Sequence, residues 1–454
     1  MVRWIRPVVS MLTVAGCASS EPASPGRPPG PGSTGRDDAG APVEPPTPPG
    51  TRCGAPRDTS VPRSDQPRFC ELPGADAPEL TVPEGFCARE FTTTPVAEAR
   101  VMRFAPNGDL FVAAPSQAAP GGAAGGPGAI IVLADEDRDG RADVMVTYAG
   151  GRSGPASSDC GQAESDPSDL SCVHGLAFAG DYLYYTRSDE VRRFAHVRGD
   201  RSAPAPAGEL VATLGGRAIG ARWTHTVDAR DGQLLVSRGR FDAAQCSAQE
   251  MATGAVFSIT PSGGLPAPLT LVADGFRNPM YLRCRAACGD CFANELSGDA
   301  WDGIGGHEKL VLLEPKTTWG FPCCVTQNTP APGGTPKECG GLGAERISVP
   351  LHDTPFGLDF ETGVFGAPYT YAVFTALHGS FGGWAGTAIS WAPTDPVTHA
   401  PTGTFKTFAT GWGLGGPMRG RATDVTFAPD GRLFVSDDVS GRIFWIAPRT
   451  LIRP

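Results

Sequence analysis

The chain is 454 residues long with a formal net charge of −10, from 38 Lys and Arg against 48 Asp and Glu, and it has no basic run. A chain without a basic patch lacks the electrostatic footprint of nucleic-acid binding, which excludes that class of partner from the expectations. With 60 Gly, 45 Pro and no sustained helical periodicity, the composition favours short strands and turns over long helices.

In chain order, Arg3 and Arg6 give a basic start, and Pro7 to Ala15 is an apolar stretch too short to span a bilayer. Residues 1–16 therefore read as a signal peptide. Leu12-Thr13-Val14-Ala15-Gly16-Cys17 resembles a bacterial lipobox, in which Cys17 takes a diacylglyceryl group and becomes the mature N-terminus. The alternative is an ordinary secretory signal with an incidental Cys. Residues 17–68 are rich in Pro, Gly, Ser, Ala and Thr, cannot bury enough apolar surface to offset their ordering entropy, and read as a disordered tether. These features predict a lipoprotein of the cell envelope, facing the periplasm or on the outer membrane, with the lipid as its membrane attachment.

Residues 69–454 contain nothing that reads as an interdomain linker, and they are long for one compact domain. Propellers accommodate such length by adding blades around a channel. One hairpin unit recurs. Phe104-Ala-Pro-Asn-Gly-Asp-Leu-Phe-Val112 is echoed by Phe178 to Tyr185, Ala229 to Val236 and Phe427 to Val435, with degenerate copies at Tyr281 to Asn294 and Phe356 to Phe374. In the clearer copies an apolar strand enters a turn built on Gly and Asn or Asp, residues that tolerate positive φ, and a second apolar strand leaves it. Six units predict an all-β, six-bladed β-propeller, with a β-sandwich as the competing architecture. Setting Cys17 aside, the twelve remaining cysteines form an even set, which in an exported protein reads as up to six disulfides. Cys288-Gly-Asp-Cys291 leaves a zinc cluster as the alternative, and the adjacent Cys323 and Cys324 should bond to other cysteines.

Polar residues recur at or just ahead of the repeated strand: His174, His225, Arg277-Asn278, Asp353-Thr354 and Asp424. In a propeller these strand starts converge at the channel mouth, which predicts a pocket there. Separately, Asp135, Asp137, Asp139 and Gly140 follow the first half of an EF-hand loop, but its twelfth position is Val146. A weak calcium site that uses Asp143 and a solvated turn are the two readings of that loop.

From about Leu80 to Pro448 the chain resembles the glucose/sorbosone dehydrogenase family, soluble quinoproteins with a six-bladed propeller, and in particular its sorbosone-type branch. The resemblance rests on Pro83-Glu-Gly-Phe86, the acidic loop Asp135 to Asp143, Trp223-Thr-His225, Gly275-Phe-Arg-Asn-Pro279, Trp319-Gly-Phe-Pro322, His378-Gly-Ser380 and the closing strands Asp424 to Ile446. It implies His225 as general base, Arg277 and Asn278 as residues holding pyrroloquinoline quinone (PQQ), and backbone carbonyls near Ser297 and Gly298 as ligands of an active-site calcium. It also places His378 and Arg421 against the cofactor. His378 stands where the glucose-type branch has Lys, and Thr423 stands where a second arginine is expected. The implied activity is oxidation of a small sugar, aldose or related alcohol or aldehyde, with the electron acceptor open. Two other functions compete: a propeller that binds a ligand or protein without catalysis, and a lactonase-like hydrolase using a channel metal, for which Asp353 and Asp424 are the available carboxylates.

Overall fold

The Asn-Gly and Asp-Gly turns fold as their stereochemistry demands. Gly108 and Gly431 lie at φ 96° and 93°, conformations that side chains rarely adopt, and Asn107 and Asp430 accept backbone N–H bonds from Asp109 and Arg432 to close the turns. The computed structural model describes residues 69–116, 128–151, 166–215, 223–240, 246, 253–285, 288–301, 303–379, 387–413 and 419–449. The expected signal peptide, Cys17 and the tether through residue 68 lie outside these, as do Cys53, Cys160 and Ser380.

Each of the six repeats forms the inner hairpin of a blade. The inner strands of blades 1 to 6 are Met102–Phe104, Val173–Ala179, Val227–Arg230, Asn278–Arg285, Pro355–Phe360 and Ala422–Phe427. Each starts a sheet whose first four strands run antiparallel, and the inner strands touch their neighbours all the way round a closed ring. The architecture is the six-bladed propeller, not the sandwich. The ring is closed by chain exchange. Phe86–Glu90 pairs antiparallel with Ile443–Pro448, so strands from both ends of the described chain complete blade 6. Apolar side chains fill the spaces between neighbouring blades, as where Phe86, Phe365, Phe374, Trp391 and Phe427 pack between blades 5 and 6.

A charged device ties inner strands together. Asp228, Asp359 and Asp424 each accept a hydrogen bond from the next residue's N–H with one carboxylate oxygen. With the other they accept one from the following blade, at Cys284 N, Phe427 N and Met102 N respectively. Arg103 and Arg283 balance two of these carboxylates, at 3.6 Å from Asp424 and 3.2 Å from Asp359. Buried charges persist here because each is paired and hydrogen-bonded.

All ten described cysteines are disulfide-bonded. The resolved pairs are Cys70–Cys87, Cys246–Cys323, Cys284–Cys291 and Cys324–Cys339. Cys323 and Cys324 bond elsewhere, as expected. The thiols that made zinc an alternative are used up in bridges.

Candidate active site at the channel mouth

The repeat sets the geometry of the mouth. Counting back four residues from Phe104, Phe178, Ala229 and Phe427 reaches Arg100, His174, His225 and Thr423, so four blades present one side chain each at an equivalent place. All four are buried, Arg100 at 6% exposure and the others below 2%.

An aromatic stack forms one wall. The His378 ring lies on Phe356 at 4.1 Å and 11°, and Phe356 in turn stacks on Tyr281 at 5.6 Å and 25°. His174 meets Tyr281 at 5.2 Å and Trp223 at 5.6 Å, both edge-on. The Arg100 guanidinium carbon lies 5.9 Å from both the Trp223 and the Phe356 ring centroids, within cation–π reach. Asp438 sits behind this wall. Its carboxylate pairs with Arg100 at 3.2 Å and with His378 Nε2 at 3.1 Å. Burial alone would raise its pKa, but His378, Arg100 and Arg421 outweigh that and hold it down to about 2.

The segment that delivers His378 is strained. His352 and Thr354 hold φ of 73° and 53°, and Thr354 N donates to the buried Glu308 carboxylate at 2.6 Å. The Thr354 carbonyl then accepts the His378 N–H at 3.0 Å. Strain of this kind persists only where the surroundings over-determine it.

Blades 3 and 4 supply the residues expected from the sequence. His225 makes no side-chain hydrogen bond among the described residues, and its Nδ1 is buried without a partner. Desolvation, with a smaller contribution from the Arg238 charge, lowers its pKa to about 3, so the imidazole is neutral near pH 7. Its backbone carbonyl lies 3.3 Å from His174 Nδ1, which ties the His174 ring to the His225 backbone. Asn278 Oδ1 is also buried without a partner and faces the backbone of Gly239. A Cβ at 239 would meet that oxygen at 2.0 Å, so only glycine fits there. Arg277 pairs with Asp299 at 2.6 Å. Its backbone N–H and that of Asn278 are both held by Glu295, whose pKa is pushed up to about 7 mainly by burial.

The metal expectations separate. The carboxylates of Asp135, Asp137 and Asp143 lie within 4.8 Å of one another, whereas Asp139 accepts the Arg141 N–H instead of joining them. Ser297 Oγ donates to the His307 carbonyl at 2.6 Å, and the Gly298 carbonyl accepts Trp301 N–H at 3.0 Å, leaving that oxygen its second lone pair. Asp353 and Asp424 fall in no metal-sized group among the described residues, and both oxygens of Asp424 already hold backbone N–H groups. Arg100, Trp223, Tyr281, Phe356 and Asp438 are site residues that the sequence reading did not single out. For Arg100 a signal existed: it shares the offset of His174 and His225.

No protein-family model matches the chain, and no curated protein matches its sequence. Solved structures do match. A calcium structure of a Trichoderma reesei carbohydrate-active enzyme of family AA12 aligns with a TM-score of 0.62 at 18% identity, over 81% of this chain and 97% of that one. The PQQ domain of a pyranose dehydrogenase from Coprinopsis cinerea, in its holo form, aligns with a TM-score of 0.58 at 15% identity, over 81% and 97%. The soluble aldose sugar dehydrogenase of Escherichia coli, in its apo form, aligns with a TM-score of 0.52 at 13% identity, over 80% and 99%. At such identities the likeness is one of fold: this chain shares the six-bladed propeller of these three proteins along most of its length and nearly all of theirs.

Proposed function

We propose that this protein is a PQQ-dependent dehydrogenase that oxidises a small sugar or related alcohol in the cell envelope. The observation that carries the reading is a set of buried polar atoms without partners among the described residues, gathered at the channel mouth. Arg100 Nε, His174 Nε2, His225 Nδ1, Asn278 Oδ1 and Tyr281 Oη come from four blades and their approaches, beside a wall of stacked rings. Unsatisfied buried groups are costly, and so many in one place fit a ligand that satisfies them. A planar, polycarboxylated ring system fits both the aromatic wall and the guanidinium groups of Arg100, Arg277 and Arg421. Three solved neighbours described as a PQQ domain, an aldose sugar dehydrogenase and a carbohydrate-active enzyme support the same reading.

When bound, PQQ supplies a two-electron acceptor and calcium polarises it. The chain supplies the rest. The neutral imidazole of His225 takes the substrate hydroxyl proton, Arg277 and Asn278 orient the cofactor, and the carbonyls near Ser297 and Gly298 hold calcium. The buried mouth excludes bulk water, which strengthens each of these interactions. Purified protein given PQQ and calcium should reduce a redox dye with at least one sugar of an aldose panel. His225→Ala should lower the rate by about a hundred- to ten-thousandfold with cofactor binding retained. Arg277→Ala should weaken binding by about ten- to a hundredfold and be partly rescued by excess PQQ. If the wild-type protein shows no saturable PQQ binding with calcium present, it is a propeller that binds something else without this catalysis.

A further inference from the structure

We propose that Arg100 anchors a carboxylate of the cofactor, and that Asp438 is the internal anion that occupies Arg100 until the cofactor arrives. The inference rests on the cofactor reading above and adds a residue and a counter-ion exchange to it.

Arg100 is a buried guanidinium whose one ion-pair partner among the described residues is Asp438, at 3.2 Å. That carboxylate is shared, since it also binds His378 Nε2 and feels the charge of Arg421. One carboxylate thus pairs with a guanidinium and an imidazole at once. Arg100 Nε has no hydrogen-bond partner, and the rings of Trp223 and Phe356 near its guanidinium offer it no acceptor oxygen. A guanidinium carries five N–H donors in a fork that matches a carboxylate, so an arginine with donors to spare in a desolvated mouth fits a second anion.

At the equivalent offset blades 2 and 3 place His174 and His225, whose pKa values burial lowers, so they stay neutral. Blade 6 places Thr423, whose hydroxyl donates to the Arg421 carbonyl and accepts the Asp438 N–H. Of the four equivalent positions, only blade 1 carries a fixed positive charge. Arg100 comes from the start of that blade and reaches Asp438 in blade 6. Arg100 thus brings a cation across the blade 6 to blade 1 seam, in addition to Arg277 and Arg421.

The test uses the whole mature protein and reads binding, not turnover: titration of PQQ and of its neutral trimethyl ester, followed by absorbance and fluorescence. Wild-type protein should prefer the acid. Arg100→Leu should weaken PQQ binding by about ten- to a hundredfold and leave the ester's affinity unchanged, and Arg100→Lys should recover part of the loss. Asp438→Asn removes the competing anion and should tighten PQQ binding several-fold, whereas a residue of purely architectural value would loosen it. Should Arg100→Leu fail to fold, the Asp438→Asn titration decides alone: unchanged or weaker PQQ binding overturns the exchange. Loss of acid and ester alike in Arg100→Leu, or no loss at all, removes Arg100 from the cofactor site and leaves the dehydrogenase reading standing. Failure of the wild-type protein to bind PQQ overturns that reading and this inference together.

Discussion

Burial lowers the pKa of three imidazoles, His174, His225 and His378. For His225 the folded value of about 3 lies well under the ordinary value near 6.5. Below pH 6.5 the unfolded chain takes up a proton that the folded chain refuses. This residue therefore costs up to about 1.4 kcal/mol of stability per pH unit as pH falls from 6.5 toward 3. Urea unfolding of wild type and His225→Gln across that range should show a shallower acid loss in the variant, and parallel curves would contradict the burial account. A proton acceptor with this pKa also implies that a rate profile has no inflection near 6.5 from His225. Gly239 makes a steric prediction. Gly239→Ala drives a Cβ into Asn278 Oδ1, so PQQ affinity should fall by about 1–3 kcal/mol in a binding titration, with the far-ultraviolet spectrum unchanged.

At the scale of the element, the inner hairpins were legible because a turn residue that must adopt positive φ recurs between apolar strands, and five of the six turns kept that chemistry. The copies in blades 4 and 5 were legible only as degenerate echoes, since the Cys284–Cys291 bridge surrounds the Gly289-Asp290 turn of blade 4 and a long Gly-Pro loop replaces the Asp-Gly turn in blade 5. The inner-strand aspartates were not read as staples, because what they bind is the backbone of the next blade, more than fifty residues on or across the ring closure. Asp228→Ala deletes the acceptor for Ala229 N and Cys284 N and should cost about 2–4 kcal/mol, measurable as a lower urea midpoint with an unchanged slope. Asp228→Asn keeps one acceptor oxygen and should cost less.

For the whole molecule, closure and cross-linking dominate. Cys70–Cys87 pins the strand Phe86–Glu90 that closes blade 6, so reducing it loosens the segment on which the ring depends. Each bridge reduced should cost about 2–5 kcal/mol. Thiol counting on denatured, unreduced protein should find at most two free cysteines, and several free thiols would refute the bridged state. We also propose that Cys17 carries a lipid. Cys17→Ser should abolish the lipid mass shift and release the protein from the membrane fraction, and an unchanged mass would exclude the anchor.

The sequence by itself determined the all-β class, the six hairpins, and the pairing of cysteines away from the Cys323-Cys324 neighbour bond. These depend on local properties: turn stereochemistry, alternation and parity. Only the tertiary structure brought Asp438 beneath Arg100 and His378, 338 and 60 positions away in the chain, and laid His378 on Phe356. It alone separated Asp139 from the other loop carboxylates and left Gly239 no room for a side chain. The physical reason is ring closure. A propeller joins the first blade to the last, so the residues that share one desolvated mouth are those farthest apart in sequence, and the charge of each is set by neighbours that no local pattern records.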